Sequence, residues 1–341
     1  MTREAAQRLE AAAASRVLVL DGAYGTQFRA LSLPEAAFRD ASLARHPIPL
    51  AGNYEVLNLS RPHVVRSLHD AYLAAGADII ETNTFNANPI IQDDYGLASR
   101  AVELARAGAS LARAAADAAM AAEPSRPRFV AGALGVTRRN PARRGGESPP
   151  GIADAEDAEL HEACAATARA LIMNGVDLIL IETVTSVRNA RLALAATRQA
   201  AARLGASVPI VVSATVDAGG RFETGEPIEA FVASLSAEGL HAIGLNCALS
   251  ASDLAPHIER LAACTTARLW LYPNAGYPDD GGHYHEPAGV TAAALGAIAA
   301  QGLVNAVGGC CGTTPAHIAA IAKSVSGLSL RAARRSPRLP R

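Results

Sequence analysis

Eight short runs of β-type residues alternate with eight longer amphipathic, alanine-rich stretches, and this alternation leaves few folds open. The runs are Arg16–Leu20, Asp78–Glu81, Arg128–Ala133, Asp177–Glu182, Pro209–Ala214, Ala242–Asn246, Ala267–Tyr272 and Leu303–Gly308. Helical stretches follow them at His63–Ala75, Ser99–Ala122, Asp157–Asn174, Ser186–Leu204, Pro227–Glu238, Ser252–Cys264, Val290–Gln301 and Pro315–Ser324. Strands separated by helices pair in parallel, and eight such units close on themselves, so the expected fold is an α/β (β/α)8 TIM barrel. Even-numbered strands are entered through Gly76, Gly175, Gly239 and Gly302, each placed where a left-handed residue ends a helix. Two units, Gly76–Thr82 and Gly175–Thr183, read almost alike, and both finish an apolar strand with Glu-Thr.

A barrel of this kind needs about 250 residues. The 341 residues therefore divide into a helical extension over 1–15, a barrel over 16–326 and a basic tail over 327–341 that is expected to be disordered. Arg138–Asp154, with Arg-Arg-Gly-Gly and Pro-Pro, is expected to be a long mobile loop on the face where barrel active sites form. Thirty-one basic residues balance 32 acidic ones, which argues against nucleic acid or an anionic membrane as a partner. The N-terminus carries charges where a signal peptide is apolar, and no run approaches a membrane span, so a cytoplasmic location is expected.

Five cysteines, an odd number without a secretion signal, point to metal binding or thiol chemistry rather than a disulfide framework. Cys310 and Cys311 follow the eighth strand, with Thr314 suited to an N-cap and Pro315 to the first helical position. Cys247 holds the matching place after the sixth strand, so three thiols converge on the C-terminal rim. Two readings fit this spacing. In one, the thiolates hold Zn2+ and leave its fourth tetrahedral position open, as in catalytic sites. In the other, Cys247 is a small buried apolar residue and the vicinal pair is incidental or redox-active. Cys164 and Cys264 fall inside amphipathic helices and read as packing residues.

An open zinc with three sulfur ligands suits methyl transfer to a substrate thiol, because the metal ionises the thiol while the sulfur ligands leave it nucleophilic. A free thiol is already a few per cent ionised at pH 7, so full ionisation contributes only about 2 kcal/mol. Alignment must supply most of the acceleration. Asp21, after the first strand, and Glu182, after the fourth, are candidates to hold a substrate ammonium. The Gly22–Gly25 turn offers backbone N–H groups to a carboxylate. Read more plainly, Asp21 caps a turn and Glu182 is satisfied by neighbouring loops. Glu81 has only the repeat in its favour. The His283-Tyr284-His285-Glu286 cluster reads as a solvated loop, and His69 and His317 as helix-surface residues.

Several motifs resemble the homocysteine S-methyltransferase family: Leu20-Asp21-Gly22-Ala23-Tyr24-Gly25-Thr26, Ile80-Glu81-Thr82-Asn83-Thr84-Phe85, Leu180-Ile181-Glu182-Thr183, Asn246-Cys247-Ala248-Leu249, Pro273-Asn274-Ala275-Gly276 and Gly308-Gly309-Cys310-Cys311-Gly312-Thr313-Thr314-Pro315. Cys247-Ala248-Leu249 and Thr313-Thr314-Pro315 are most similar to the N-terminal homocysteine-binding module of cobalamin-dependent methionine synthase. The resemblance implies one zinc on Cys247, Cys310 and Cys311 as catalytic ligands, with homocysteine contacts at Asp21, Gly22, Thr26, Glu182 and Asn246. It departs at Gly135-Val136-Thr137-Arg138, where the family often has Gly-Pro-Thr-Asn, and no corrinoid-binding signature is present.

The activity expected from the resemblance is methylation of the homocysteine thiol to methionine. Cobalamin is then expected only in trans, as methylcobalamin on a separate corrinoid/folate methionine synthase subunit. A stand-alone enzyme using S-methylmethionine or betaine is the alternative. Two readings of other classes are a non-catalytic zinc-binding subunit of a corrinoid complex and a barrel hydrolase using zinc-bound water. The all-sulfur ligand set opposes the last.

Overall fold

A computed structural model of the chain describes residues 3–135, 153–235, 238–328 and 330. Its eight strands are β1 Leu18–Val19, β2 Ile79–Glu81, β3 Phe129–Gly135, β4 Leu178–Val184, β5 Ile210–Ala214, β6 Ala242–Ser250, β7 Arg268–Asn274 and β8 Ala306–Val307. They form one parallel sheet in the order β1-β8-β7-β6-β5-β4-β3-β2, and a parallel bridge between Leu20 and Ile79 joins its two edges. This is the expected α/β (β/α)8 TIM barrel.

Burial on both faces explains why the strands read as continuous apolar runs. In β4, Leu178 and Leu180 face the barrel interior, with Phe129, Val211, Trp270 and Tyr272. Ile179 and Ile181 alternate outward against the helices. The helices start and stop close to where their patterns predict: Pro62–Ala74, Ala101–Ala122, Ala153–Met173, Val187–Arg203, Ile228–Leu235, Ala251–Cys264, Ala288–Ala300 and Pro315–Val325. Gly76, Gly175, Gly239 and Gly302 all take positive φ, between 58° and 105°, as their helix-ending positions require.

The N-terminal helix Arg3–Ala13 plugs the bottom of the barrel. Its Leu9 is fully buried against the inward-facing strand residues, and its Glu10 accepts hydrogen bonds from Arg268 and pairs with His241 Nδ1 at 2.7 Å. These partners hold the Glu10 carboxyl well below the usual range, His241 foremost.

Three features differ from expectation. The connection from β1 to Pro62 is an excursion carrying the helix Tyr24–Ala30 and shorter turns, which packs Phe28, Phe38, Leu50 and Leu57 into a cluster of its own. Its pieces are too short, and too broken by Pro34, Pro47 and Pro49, to show a helical period. β6 runs on through Cys247 to Ser250, with a register irregularity after Asn246. His69 and His317, expected on helix surfaces, are buried. His317 completes a capping box with Thr314, and His69 turns inward because the helix face bearing Val65, Tyr72 and Leu73 packs on the barrel. The anticipated Arg138–Asp154 loop lies outside the described residues except for Ala153 and Asp154, which already belong to a helix, and Arg331–Arg341 lies outside them as well.

Candidate metal centre and substrate pocket

β6 and the turn after β8 bring three sulfurs together at the C-terminal rim. The ligand atoms of Cys247, Cys310 and Cys311 lie within 4.8 Å of one another, and Cys247 Sγ stands 3.7 Å from Cys311 Sγ. Zinc–sulfur bonds of about 2.3 Å at tetrahedral angles separate two sulfurs by about 3.8 Å. The pair therefore already has the spacing that a shared zinc needs. Packing three thiols so closely splits their acidities: hydrogen bonds from Cys247 and Cys310 hold Cys311 well below an ordinary thiol, while the same contacts drive Cys310 up.

The backbone beneath them is strained. Cys247 and Ala248 have φ of 59° and 55°, and Thr183, facing them from β4, has φ of 55°. Left-handed non-glycine residues cost about 1–3 kcal/mol each and persist where their surroundings fix them. Asn246 supplies much of that fixing. Fully buried, its side chain donates to Thr183 Oγ1 at 2.8 Å and accepts from Ser213 Oγ at 2.7 Å and the Thr183 N–H at 3.2 Å. Thr215 Oγ1 donates to its carbonyl. Asn246, expected as a substrate contact, thus ties β4, β5 and β6 together below the thiols.

Thr313 links the cysteine turn to the first strand. Its hydroxyl donates to the Cys310 carbonyl at 2.7 Å and accepts the Ala23 N–H at 3.1 Å. Gly22 is required here, since a Cβ on it would meet Thr313 Oγ1 at 2.6 Å. Thr26 Oγ1 accepts the Gly312 N–H at 3.1 Å from the other side. From the loop after β7, Tyr284 hydrogen-bonds Cys311. His283 and His285 point instead to Asp279 in solvent, as a solvated loop predicts. Tyr284, grouped in the sequence with this solvated loop, instead turns inward between the two exposed histidines.

Beside the thiols lies a cavity of about 290 Å³ lined by Gly22, Thr26, Glu81, Glu182, Cys247 and Cys311, among others. That is the low end of the roughly 300–1,000 Å³ of small-molecule sites. Glu81 and Glu182 line the cavity, and Asp21, next to its lining residue Gly22, is buried against Glu81. Asp21 is buried, and its Oδ2 accepts from Tyr24 at 2.5 Å and the Glu81 N–H at 2.8 Å, while Oδ1 has no partner. Glu182 is hydrogen-bonded to Glu81. Burial raises Asp21 to about 7 and Glu182 to about 8, and burial together with Glu182 drives Glu81 well above the usual range. The structure thus gives Glu81 the standing of Asp21 and Glu182, which the repeat alone did not. A larger cavity, about 870 Å³, opens at the opposite end near Arg16 and Lys323, away from the thiols.

The homocysteine S-methyltransferase family model matches residues 18–325. This chain belongs to that family. Similar solved structures include the oxidized form of the homocysteine methyltransferase MmuM from Escherichia coli. It is 25% identical over 89% of this chain and 94% of that one, with a TM-score of 0.68. The metallated form of MmuM shares the fold at 23% identity and a TM-score of 0.69, over 94% of this chain and 99% of that one. Among the described residues, no helix is long and apolar enough to cross a membrane.

Proposed function

We propose that this protein transfers a methyl group to the thiol of L-homocysteine, giving methionine, from a small cationic donor such as S-methylmethionine or betaine. The meeting of three sulfurs within 4.8 Å of one another, one pair at zinc spacing, beside a cavity lined by Glu81 and Glu182 carries the reading. Cys247, Cys310 and Cys311 hold the zinc. Bound there, zinc supplies a Lewis acid that keeps the substrate thiol ionised at neutral pH. Tyr284 fixes the orientation of Cys311, and Asn246 fixes the strand ends that present Cys247 and Cys310. Asp21, Glu81 and Glu182 take the ammonium of the substrate, and N–H groups of the Gly22–Gly25 turn, with Thr26, take its carboxylate. Holding both ends of the amino acid directs its sulfur along one line, which is where most of the acceleration arises.

An onium donor suits an acidic cavity because carboxylates attract its positive sulfur or nitrogen, and that attraction ends once the methyl has moved, which favours release of the product. The match to MmuM along nearly its whole length supports a barrel that works alone. A second reading, methylcobalamin delivered by a separate corrinoid/folate protein, is favoured by Cys247-Ala248-Leu249 and Thr313-Thr314-Pro315. Methionine formation from homocysteine, with S-methylmethionine, betaine and methylcobalamin offered in turn to the native protein and Cys311→Ala, separates the readings. Turnover with a small donor, lost in the variant, supports the first, and turnover with methylcobalamin alone supports the second. Activity that survives removal of the cysteines overturns both.

A further inference from the structure

Beneath Asp21 lies a buried chain that metal binding does not use. The Tyr24 hydroxyl donates to Asp21 Oδ2 at 2.5 Å and stands 2.7 Å from His69 Nδ1, and His69 Nε2 is buried with no partner. A phenol has one proton to give. With that proton on the Asp21 bond, the second contact requires Nδ1–H to donate to the Tyr24 oxygen, leaving Nε2 a bare lone pair. If Asp21 is protonated on Oδ2, the chain reverses, with Asp21 donating to Tyr24, Tyr24 donating to Nδ1 and the imidazole proton moving to Nε2; protonation on Oδ1 instead buries an O–H that has no acceptor.

The two arrangements differ in their buried defect. A buried N–H without an acceptor is a rarer defect than an under-satisfied acceptor. His69 therefore favours the arrangement in which Asp21 is ionised. That bias acts against strong opposition. Burial favours protonation of Asp21, the Tyr24 hydroxyl and the Glu81 N–H from β2 favour its ionised form, and its charge in turn raises Glu81, Glu182 from β4 and Tyr72 from the His69 helix. Burial, and to a lesser extent the charge of Arg66, keep His69 itself neutral, as this chain requires.

We propose that His69 is a positioning residue that, through Tyr24, keeps Asp21 ionised with Oδ1 available to the ammonium of the amino-acid substrate. This rests on homocysteine being the substrate. It assigns work to a histidine that would otherwise be a packed core residue and to a tyrosine whose hydroxyl would be idle.

The test compares the zinc-loaded native protein with Tyr24→Phe, His69→Leu and His69→Asn, whose side-chain amide restores a donor near Nδ1. Calorimetric affinity is measured for L-homocysteine and for 4-mercaptobutyrate, the same thiol without an ammonium group. Tyr24→Phe and His69→Leu are expected to weaken homocysteine binding and raise its KM by about tenfold with kcat nearly unchanged. They should leave 4-mercaptobutyrate binding intact. Tyr24→Phe should move the acid limb of kcat/KM upward by about one pH unit, and His69→Asn should recover most of the affinity. Native-like homocysteine affinity in His69→Leu overturns the proposal, as does equal loss of both thiols or no recovery in His69→Asn. If His69→Leu does not fold, Tyr24→Phe and His69→Asn decide the matter. A native protein that binds 4-mercaptobutyrate as well as homocysteine defeats the inference alone, whereas one that binds neither thiol defeats the substrate reading beneath it.

Discussion

Cys247 Sγ and Cys311 Sγ stand 3.7 Å apart across 64 residues of sequence, held there by β6 and by the turn that follows β8. Three sulfurs within 4.8 Å of one another repel as thiolates, and a bound cation relieves that repulsion. Replacing either Cys247 or Cys311 with serine is expected to abolish stoichiometric zinc binding. Loading the native protein to 100 times the zinc Kd should stabilise it by about 2.7 kcal/mol, seen as a rise in Tm. A native protein whose Tm ignores zinc contradicts this.

The carboxylate cluster predicts a pH dependence in the metal-free protein. Asp21 and Glu182 titrate near 7 and 8 when folded and near 4 when unfolded, so the native state holds extra protons between those limits. Their stability contribution is fully present below about pH 4 and is lost as pH rises toward 8. Glu81→Gln removes one buried acid from the cluster and should flatten the fall of Tm between pH 5 and 8. Parallel curves for the two proteins would show that the three groups do not interact.

Gly312 has φ of +82°, and a Cβ there would lie 2.3 Å from the Tyr284 side chain. Gly312→Ala should therefore destabilise by more than about 1 kcal/mol and displace Tyr284 from Cys311. Tyr284→Phe keeps the ring but loses the bond to sulfur. Zinc competition titration should show a drop of about tenfold in affinity for Tyr284→Phe, as for other groups that orient a metal ligand. Unchanged affinity would limit Tyr284 to packing.

The barrel and the three-cysteine cluster were legible because both depend on local signals. Apolar strands, helix-ending glycines and the Gly-Gly-Cys-Cys-Gly turn each announce themselves within a few residues. What supports the cluster was not legible, because it is assembled from distant segments. Asn246 reads as a motif residue beside Cys247, yet its amide works on Thr183 and Ser213. His69 lies on a helix whose pattern does not say that Tyr24 waits opposite. Glu81 gains its role only when β2 and β4 bring it against Glu182.

The N-terminal helix offers a control remote from the chemistry. Leu9 is fully buried in the bottom of the barrel, and Leu9→Ala should cost about 2–5 kcal/mol in urea unfolding while leaving zinc content unchanged. A loss below 1 kcal/mol would mean that the helix is not part of the cooperative fold.

Cys247, Cys310 and Cys311 would together hold a zinc that ionises the homocysteine thiol. X-ray absorption at the zinc edge, with and without homocysteine, tests it most directly. The account predicts three sulfur neighbours and one lighter atom in the free protein, becoming four sulfurs when homocysteine is added. A first shell that does not change on adding homocysteine, or one with fewer than three sulfurs beforehand, would contradict it.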